Sequence, residues 1–114
     1  MPPSVVVVIR EDPLKTHRPV EALRIALGLS TGGNPLTVVL LERAPLLLTE
    51  DTSEVLDAEI LEKYLPSLKQ LKIPFIVPLG ARAAFPFDRG FDIRESSSRD
   101  IEALVSSSDR VLAF

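Results

Sequence analysis

The chain has 114 residues, a net charge of −3 and 46% hydrophobic residues, which predicts one globular domain over residues 1–114 and no nucleic-acid partner. It has no cysteine, which excludes disulfides, thiolate nucleophiles, thiolate metal sites and a persulfide carried by this protein. Its apolar runs are far shorter than the roughly 20 residues that span a bilayer, and its start, M-P-P-S, lacks signal-peptide features, so we expect a cytoplasmic protein without a membrane partner.

The first part of the chain has the pattern of a strand, a helix and a second strand. Residues 4–9, S-V-V-V-V-I, are apolar and β-branched, as in parallel strands that are covered on both faces. Apolar residues at helical spacing follow from Pro19, and T-G-G-N-P at 31–35 ends that helix. The run L-T-V-V-L-L at 36–41 is a second buried strand, so we expect a right-handed βαβ unit.

A long helical pattern leads to Lys72, and we expect Pro66 to kink or split that helix because proline lacks the backbone N–H. Six of the sixteen acids lie between Glu50 and Glu62. They lack the spacing and central glycine of a calcium-binding EF-hand, so we expect them in the first turns of the helix, where its dipole favours acids. Residues 73–78 form a third buried strand.

The remaining sequence predicts two more strands and one more helix. F-D-I at 91–93 is a short strand, and the segment that begins S-S-S-R-D-I reads as a helix in which Ser97 caps the N-terminus. D-R-V-L-A-F at 109–114 is a fifth strand. Alternation of strands and helices along the whole chain predicts an α/β fold with a mostly parallel sheet.

Ligands of open parallel sheets bind beyond the carboxyl ends of the strands, and we call this end of the sheet the rim. The residues that follow the first three predicted strands, and that we expect to line the rim, are Arg10, Glu11, His17, Arg18, Glu42, Arg43, Pro78, Leu79, Gly80 and Arg82. They would form a surface of mixed charge with an excess of arginine.

Several enzyme classes fail on residues that their chemistry requires. A receiver domain needs an acid pair after the first strand, as in Glu11-Asp12, but also an aspartate after the third strand, where this chain has P-L-G. Nucleotide binding needs a glycine-rich first turn, which is absent. A serine hydrolase would have His17 as its only base, and no G-x-S-x-G elbow exists. We therefore predict no catalytic residue, no metal site and no cofactor.

The order of elements resembles the DsrE/DsrF/DsrH group of small sulfur-relay proteins, which share the YchN-like fold. The segments that carry this resemblance are R-P-V-E-A-L-R-I-A-L, R-A-P-L-L-L, L-K-Q-L-K, A-R-A-A-F-P-F-D-R-G and D-R-V-L-A-F. The last of them is most similar to the end of DsrF/TusC-type subunits. The resemblance implies a three-layer α/β/α domain with a five-stranded parallel sheet in the order 4-3-2-1-5.

The resemblance also implies assembly into trimers, hexamers or heterohexamers. In members that carry sulfur, a reactive cysteine follows the third strand and accepts persulfide. The matching region here, residues 78–82, has no cysteine, so this chain cannot carry sulfur in that way.

Two kinds of function stay open. The first is a non-catalytic subunit or docking partner in sulfur relay or a related process, either in a homo-oligomer or in a hetero-oligomer with a cysteine-bearing homologue. Its predicted contact patch lies in connections between elements and consists of Leu46, Leu47, Leu48, Phe85 and Phe87, unless these residues pack into the core of the domain. The second is a module that binds a small anion or nucleotide, or a cryptic enzyme, through Arg10, His17, Arg43 and Arg82.

Overall fold

Strands and helices alternate along the chain in the computed structural model, which describes residues 3–114. The strands are β1 (Val5–Ile9), β2 (Leu36–Leu40), β3 (Pro74–Pro78), β4 (Asp92–Ser96) and β5 (Arg110–Ala113). The helices are α1 (Arg18–Ser30), α2 (Ala58–Gln70), α3 (Ala81–Ala84) and α4 (Ser98–Ser107), with a 3-10 helix over Ala44–Leu48. The five strands are parallel and lie in the order β4-β3-β2-β1-β5, which confirms the predicted sheet.

Strand β1 explains why the sheet forms. All five of its side chains are buried, and they alternate between the two faces of the sheet. Val5, Val7 and Ile9 contribute to the larger core, while Val6 and Val8 contribute to a smaller core on the opposite face. Each side chain of this size contributes about 1.5–3 kcal/mol when it is fully buried, so strand β1 alone anchors both layers.

The two faces of the sheet are covered unequally. Helix α1 packs against α2, β1 and β2, and the larger core lies on this face. The smaller core is completed by helix α4, which contributes Ile101 as its one buried apolar side chain. Since a ten-residue helix is too narrow to cover five strands, part of the sheet beside α4 stays accessible.

Two helix starts agree with the sequence analysis. Helix α1 begins at Arg18 and has proline in its first turn, where the missing N–H costs no hydrogen bond. The hydroxyl of Ser97 accepts a hydrogen bond of 3.1 Å from the backbone N–H of Asp100, which confirms the predicted cap of α4. Strand β4, in contrast, runs over Asp92–Ser96 and is longer than the predicted F-D-I.

Helix α2 bears on two predictions. It continues through Pro66 to Gln70, so of the predicted kink or split, the split is wrong. It begins at Ala58, which places most of the acidic cluster in the preceding connection and leaves Glu59 as the acid of its first turn. The prediction that the acids between residues 50 and 57 occupy the start of the helix is therefore wrong.

The apolar turn after β2 belongs mainly to the domain's own core. Leu47 and Leu48 are both 0% exposed, so the prediction that they contact a partner is wrong and packing into the core holds for them. Phe85 and Phe87 are half-buried against the same core, and Leu46 is also half-buried. The 3-10 geometry turns two of the three leucines inward, because this helix has three residues per turn.

The loop over residues 85–91 closes over this turn and is fixed by Asp88. The Asp88 backbone N–H donates to the Leu48 carbonyl at 2.9 Å. The Asp88 carboxylate accepts hydrogen bonds of 2.8 Å from the Lys69 ammonium and from the Gly90 N–H. The Lys69 hydrogen bond, followed by the Gly90 N–H, lowers the pKa of Asp88 below its ordinary value of 3.8. The loop is thus attached to helix α2 and to the apolar turn.

Replacing Asp88 with asparagine should lower the free energy of unfolding at neutral pH by about 1 kcal/mol, because a partly exposed charge-assisted pair is lost. Because the pKa of Asp88 is lower in the folded protein than in the unfolded chain, its ionised carboxylate stabilises the fold above pH 3.8. This stabilisation is lost as the pH falls through the lowered pKa of the folded state. Urea unfolding of parent and variant should therefore converge in acid. A gap that persists there would show that the Asp88 charge is irrelevant, and a double-mutant cycle with Lys69→Met isolates the pair.

Candidate functional site

Seven of the ten residues predicted to form one rim are divided among three hollows, whereas Glu11, Arg43 and Arg82 line none of them. The first, called the β3-end hollow, lies where β3 ends and has a volume of about 480 Å³. Its lining residues are Leu41, Glu42, Pro45, Pro78, Leu79, Gly80, Ala81, Ala84, Phe85 and Ser98. Most of the lining residues are apolar, and one of them, Leu79, is 66% exposed.

Two backbone features shape the β3-end hollow. Gly80 has a φ of 90°, a conformation that is open to glycine without strain, and it allows α3 to begin directly after β3. Glu42 has a φ of 55° in a tight turn that the Ala44 N–H closes on the Leu41 carbonyl at 2.9 Å. A glutamate in this conformation costs about 1 kcal/mol, so the surrounding packing holds the turn in place.

The second hollow, called the α4 groove, lies between helix α4 and the exposed part of the sheet. It has a volume of about 380 Å³. Its lining residues are Val8, Arg10, Leu41, Pro78, Ser98, Ile101, Glu102, Val105, Val111 and Ala113. Arg10 therefore lines the α4 groove together with apolar residues. Two of these, Leu41 and Pro78, lie at the carboxyl ends of β2 and β3.

The third hollow contains the single histidine. His17, Arg18, Glu21 and Asp57 line it. The His17 Nδ1 atom lies 3.6 Å from the Asp57 carboxylate, a pairing that would orient a catalytic base. No serine or threonine is among the lining residues, and the His17 side chain is 75% exposed. The lining of this hollow thus offers the pair no hydroxyl nucleophile.

The acids of the first loop serve as structural partners. Glu11 forms an ion pair with Arg18, whose guanidinium also lies over the Phe114 ring at 5.6 Å. One oxygen of Asp12 accepts a hydrogen bond of 2.9 Å from the Leu14 N–H, and the other lies 3.4 Å from Arg43. Both acids of the pair therefore have partners within the chain.

The arginines of the predicted rim do not converge. Arg18 and Arg43 are paired with the acids of the first loop. Arg82 turns away from the strand ends, since its guanidinium donates to the Ile93 carbonyl and its backbone N–H donates to Glu95 at 2.9 Å. Within residues 3–114, no carboxylate lies within ion-pair distance of the Arg10 guanidinium.

Ser98 and Pro45 line the β3-end hollow but were missed by the sequence analysis. Ser98 reaches it because β4 lies beside β3 and helix α4 starts directly after β4. The sequence contained this information, since the carboxyl end of a fourth parallel strand lies at the same edge as the others. Pro45 gave no comparable signal, because the apolar turn was predicted as a contact patch only.

Comparisons with known proteins identify the fold. No family model matches the sequence, and no curated protein matches it. Among solved structures, the crystal structure of the ychN protein from E. coli superimposes with a TM-score of 0.78 over 100% of both chains, at 17% sequence identity. The chain has a YchN-like fold. This likeness confirms the fold that the resemblance implied, and it concerns the fold alone.

In a YchN-like fold, the resemblance places the reactive cysteine of sulfur carriers after β3, where this chain forms the β3-end hollow. Residues 78–82 are P-L-G-A-R, and the whole sequence has no cysteine. Within residues 3–114, no helix is long and apolar enough to cross a membrane. The same residues contain no cluster of three or more acidic or histidine side chains arranged to hold a metal ion.

Proposed function

We propose that the protein is a non-catalytic YchN-like subunit that docks a partner protein through the β3-end hollow. One observation carries this proposal: the place after β3 is an open hollow that is lined mostly by apolar residues and has no thiol, and Leu79 projects from it with 66% of its area exposed. Full burial of a leucine contributes about 1.5–3 kcal/mol, so a partner that covered Leu79 would gain much of that amount.

The neighbours of Leu79 support docking of a protein. Ala84 and Phe85 line the same hollow, where Ala84 is exposed and Phe85 is partly exposed. Exposed apolar side chains together with polar residues such as Glu42 and Ser98 are a composition found at protein interfaces. Strain at Glu42 indicates a turn that the fold holds in place before a partner arrives.

The distribution of charge favours docking over binding of a small anion. Three arginines near the strand ends, Arg18, Arg43 and Arg82, already have partners within the chain. An anion site would need several donors directed at one point, whereas these donors are directed at separate structural partners. The mixed-charge edge therefore stabilises the loops that surround the hollow.

The family resemblance suggests the kind of partner. We propose a cysteine-bearing homologue with the same fold, in an assembly of the DsrF/TusC type that serves sulfur relay or a related process. In such an assembly this chain would contribute contacts and position its partner, while the partner would carry the persulfide. The apolar hollow after β3 would then cover part of the partner's surface without taking part in sulfur transfer.

Replacing Leu79 with aspartate tests this proposal. We expect the chain to form oligomers alone or with cysteine-bearing YchN-like proteins of its own organism, and we expect Leu79→Asp to weaken that association at least tenfold, because a charge would be buried. Leu71→Asp is the matched control. Leu71 is 48% exposed, but it lies between helix α2 and β3, at the amino ends of the strands, whereas Leu79 follows the carboxyl end of β3. Sedimentation equilibrium over a range of concentrations measures both effects.

Two results would contradict the proposal. One is a monomeric mass for the chain both alone and in mixture with those homologues. The other is a Leu79→Asp variant that associates as strongly as the parent and as Leu71→Asp. Thermal unfolding of the three proteins excludes misfolding as the cause of any loss, since both side chains project from the surface.

A further inference from the structure

The two outer strands of the sheet, β4 and β5, differ in how well their free backbone groups are protected from pairing with another chain. At the β4 edge, the guanidinium of Arg82 donates to the Ile93 carbonyl, and Glu95 accepts from the Arg82 backbone N–H. Arg94 and Asp92 add an exposed ion pair on the same strand. Charged side chains and occupied backbone groups are devices that keep an edge strand from pairing with another chain.

The β5 edge has fewer of these devices, since Arg110 is its one charged side chain. All four residues of β5 are exposed, and the strand is apolar except for Arg110. Val111 is 42% exposed on the face of the α4 groove, and Leu112 is 36% exposed on the opposite face. An apolar edge strand of this kind presents a template for another strand.

The hydrogen bonds of β5 show which of its backbone groups are free. The Arg110 N–H donates to Ser4 at 3.0 Å, the Phe114 N–H donates to Val8 at 2.8 Å, and the Phe114 carbonyl accepts from Arg10 at 2.8 Å. Because alternate residues of a strand direct their N–H and C=O groups to opposite sides, the groups of Val111 and Ala113 face outward. Within residues 3–114, these outward groups have no hydrogen-bond partner.

We infer that β5 is an interface strand that pairs antiparallel with β5 of a second copy of the chain. The twofold axis passes through Leu112, so that Val111 of each copy lies opposite Ala113 of the other. Each of these opposed residues exchanges both hydrogen bonds with its counterpart, which satisfies every outward backbone group of β5. The two five-stranded sheets become one continuous sheet.

The side chains agree with this pairing. Leu112 lies directly opposite Leu112 of the second copy, so two partly exposed apolar side chains bury each other. Arg110, the one charged residue of β5, lies opposite Phe114 of the second copy, so the pairing places no like charges face to face. This surface is distinct from the β3-end hollow, so the inference does not depend on the proposed function.

A single introduced cysteine tests the pairing, because the chain has none of its own. Directly opposed residues in a non-hydrogen-bonded antiparallel pair have Cα atoms about 4.5 Å apart, within the range that a disulfide bridges. Mild oxidation should therefore convert Leu112→Cys to a covalent dimer on a non-reducing gel. Val111→Cys is the matched control on the same strand. In the proposed pairing Val111 lies opposite Ala113 of the second copy, so the two introduced cysteines would be too far apart to form a disulfide. Arg94→Cys, on the opposite outer strand β4, measures how much disulfide forms through random encounters between chains.

A proline at the outward position provides an independent measurement. Ala113→Pro removes an N–H that faces outward, a substitution that edge strands tolerate, and thus deletes one hydrogen bond on each side of the twofold axis. We expect the dimer dissociation constant to rise at least tenfold while thermal unfolding at low concentration stays unchanged. Ala113→Ser, which keeps the N–H, should associate as the parent does.

The inference is overturned if Leu112→Cys forms no more covalent dimer than Arg94→Cys, or if Ala113→Pro associates as strongly as Ala113→Ser. A chain that sediments as a monomer at every concentration also overturns it. Failure of the proposed function gives a different pattern, in which Leu79→Asp has no effect whatever the β5 variants show.

Discussion

Replacing Leu47 with alanine should lower the free energy of unfolding by about 2–5 kcal/mol. Leu47 is 0% exposed and belongs to the larger core, so its removal leaves a cavity that the rigid sheet and helix α1 cannot fill. Leu46→Ala is the matched comparison on the neighbouring residue. Since Leu46 is only half-buried, its loss should cost about 1 kcal/mol or less.

Urea unfolding followed by circular dichroism measures both variants, and the difference between them is the informative quantity. If Leu46→Ala proved the more damaging of the two, the 3-10 helix would have to face the other way. Leu47 and Leu48 would then be available for the predicted contact with a partner. If both variants unfolded like the parent, the apolar turn would lie outside the core, contrary to its packing beneath the loop over residues 85–91.

The apolar turn also shows where sequence reasoning reaches its limit. The run of valines in β1 could be identified as a strand covered on both faces, because its composition leaves few alternatives. In R-A-P-L-L-L, three identical side chains follow one another, and hydrophobicity alone does not indicate which of them faces inward. The answer depends on the 3-10 geometry, which in turn depends on the strained turn at Glu42.

The candidate site was less predictable than the fold for a related reason. The sequence places Arg10, Arg43 and Arg82 after strands whose carboxyl ends share one edge, and the structure confirms that arrangement of strands. The directions of the side chains depend on partners far away in the chain. Arg43 is held by Asp12, and Arg82 is held by Ile93. Such pairings follow from the packing of loops, which no local pattern in the sequence encodes.

Replacing Pro66 with alanine should raise the free energy of unfolding by about 1–3 kcal/mol. Helix α2 runs through this position, where proline lacks the N–H for the carbonyl four residues earlier and crowds the preceding turn. Pro66 is exposed, so alanine loses little packing there. The gain is reduced because alanine also increases the conformational entropy of the unfolded chain. Urea unfolding at neutral pH measures the change.

Pro35→Ala separates the helix effect from the general effect of removing a proline. Pro35 is exposed and precedes β2, where its carbonyl accepts a hydrogen bond of 2.9 Å from the Val5 N–H, a bond that alanine preserves. This variant should lose about 0.4–1 kcal/mol through the unfolded state alone. If Pro66→Ala lost a similar amount, the helix would already be distorted enough at Pro66 to need no hydrogen bond there. The proline would then mark a bend in α2, as the sequence first suggested.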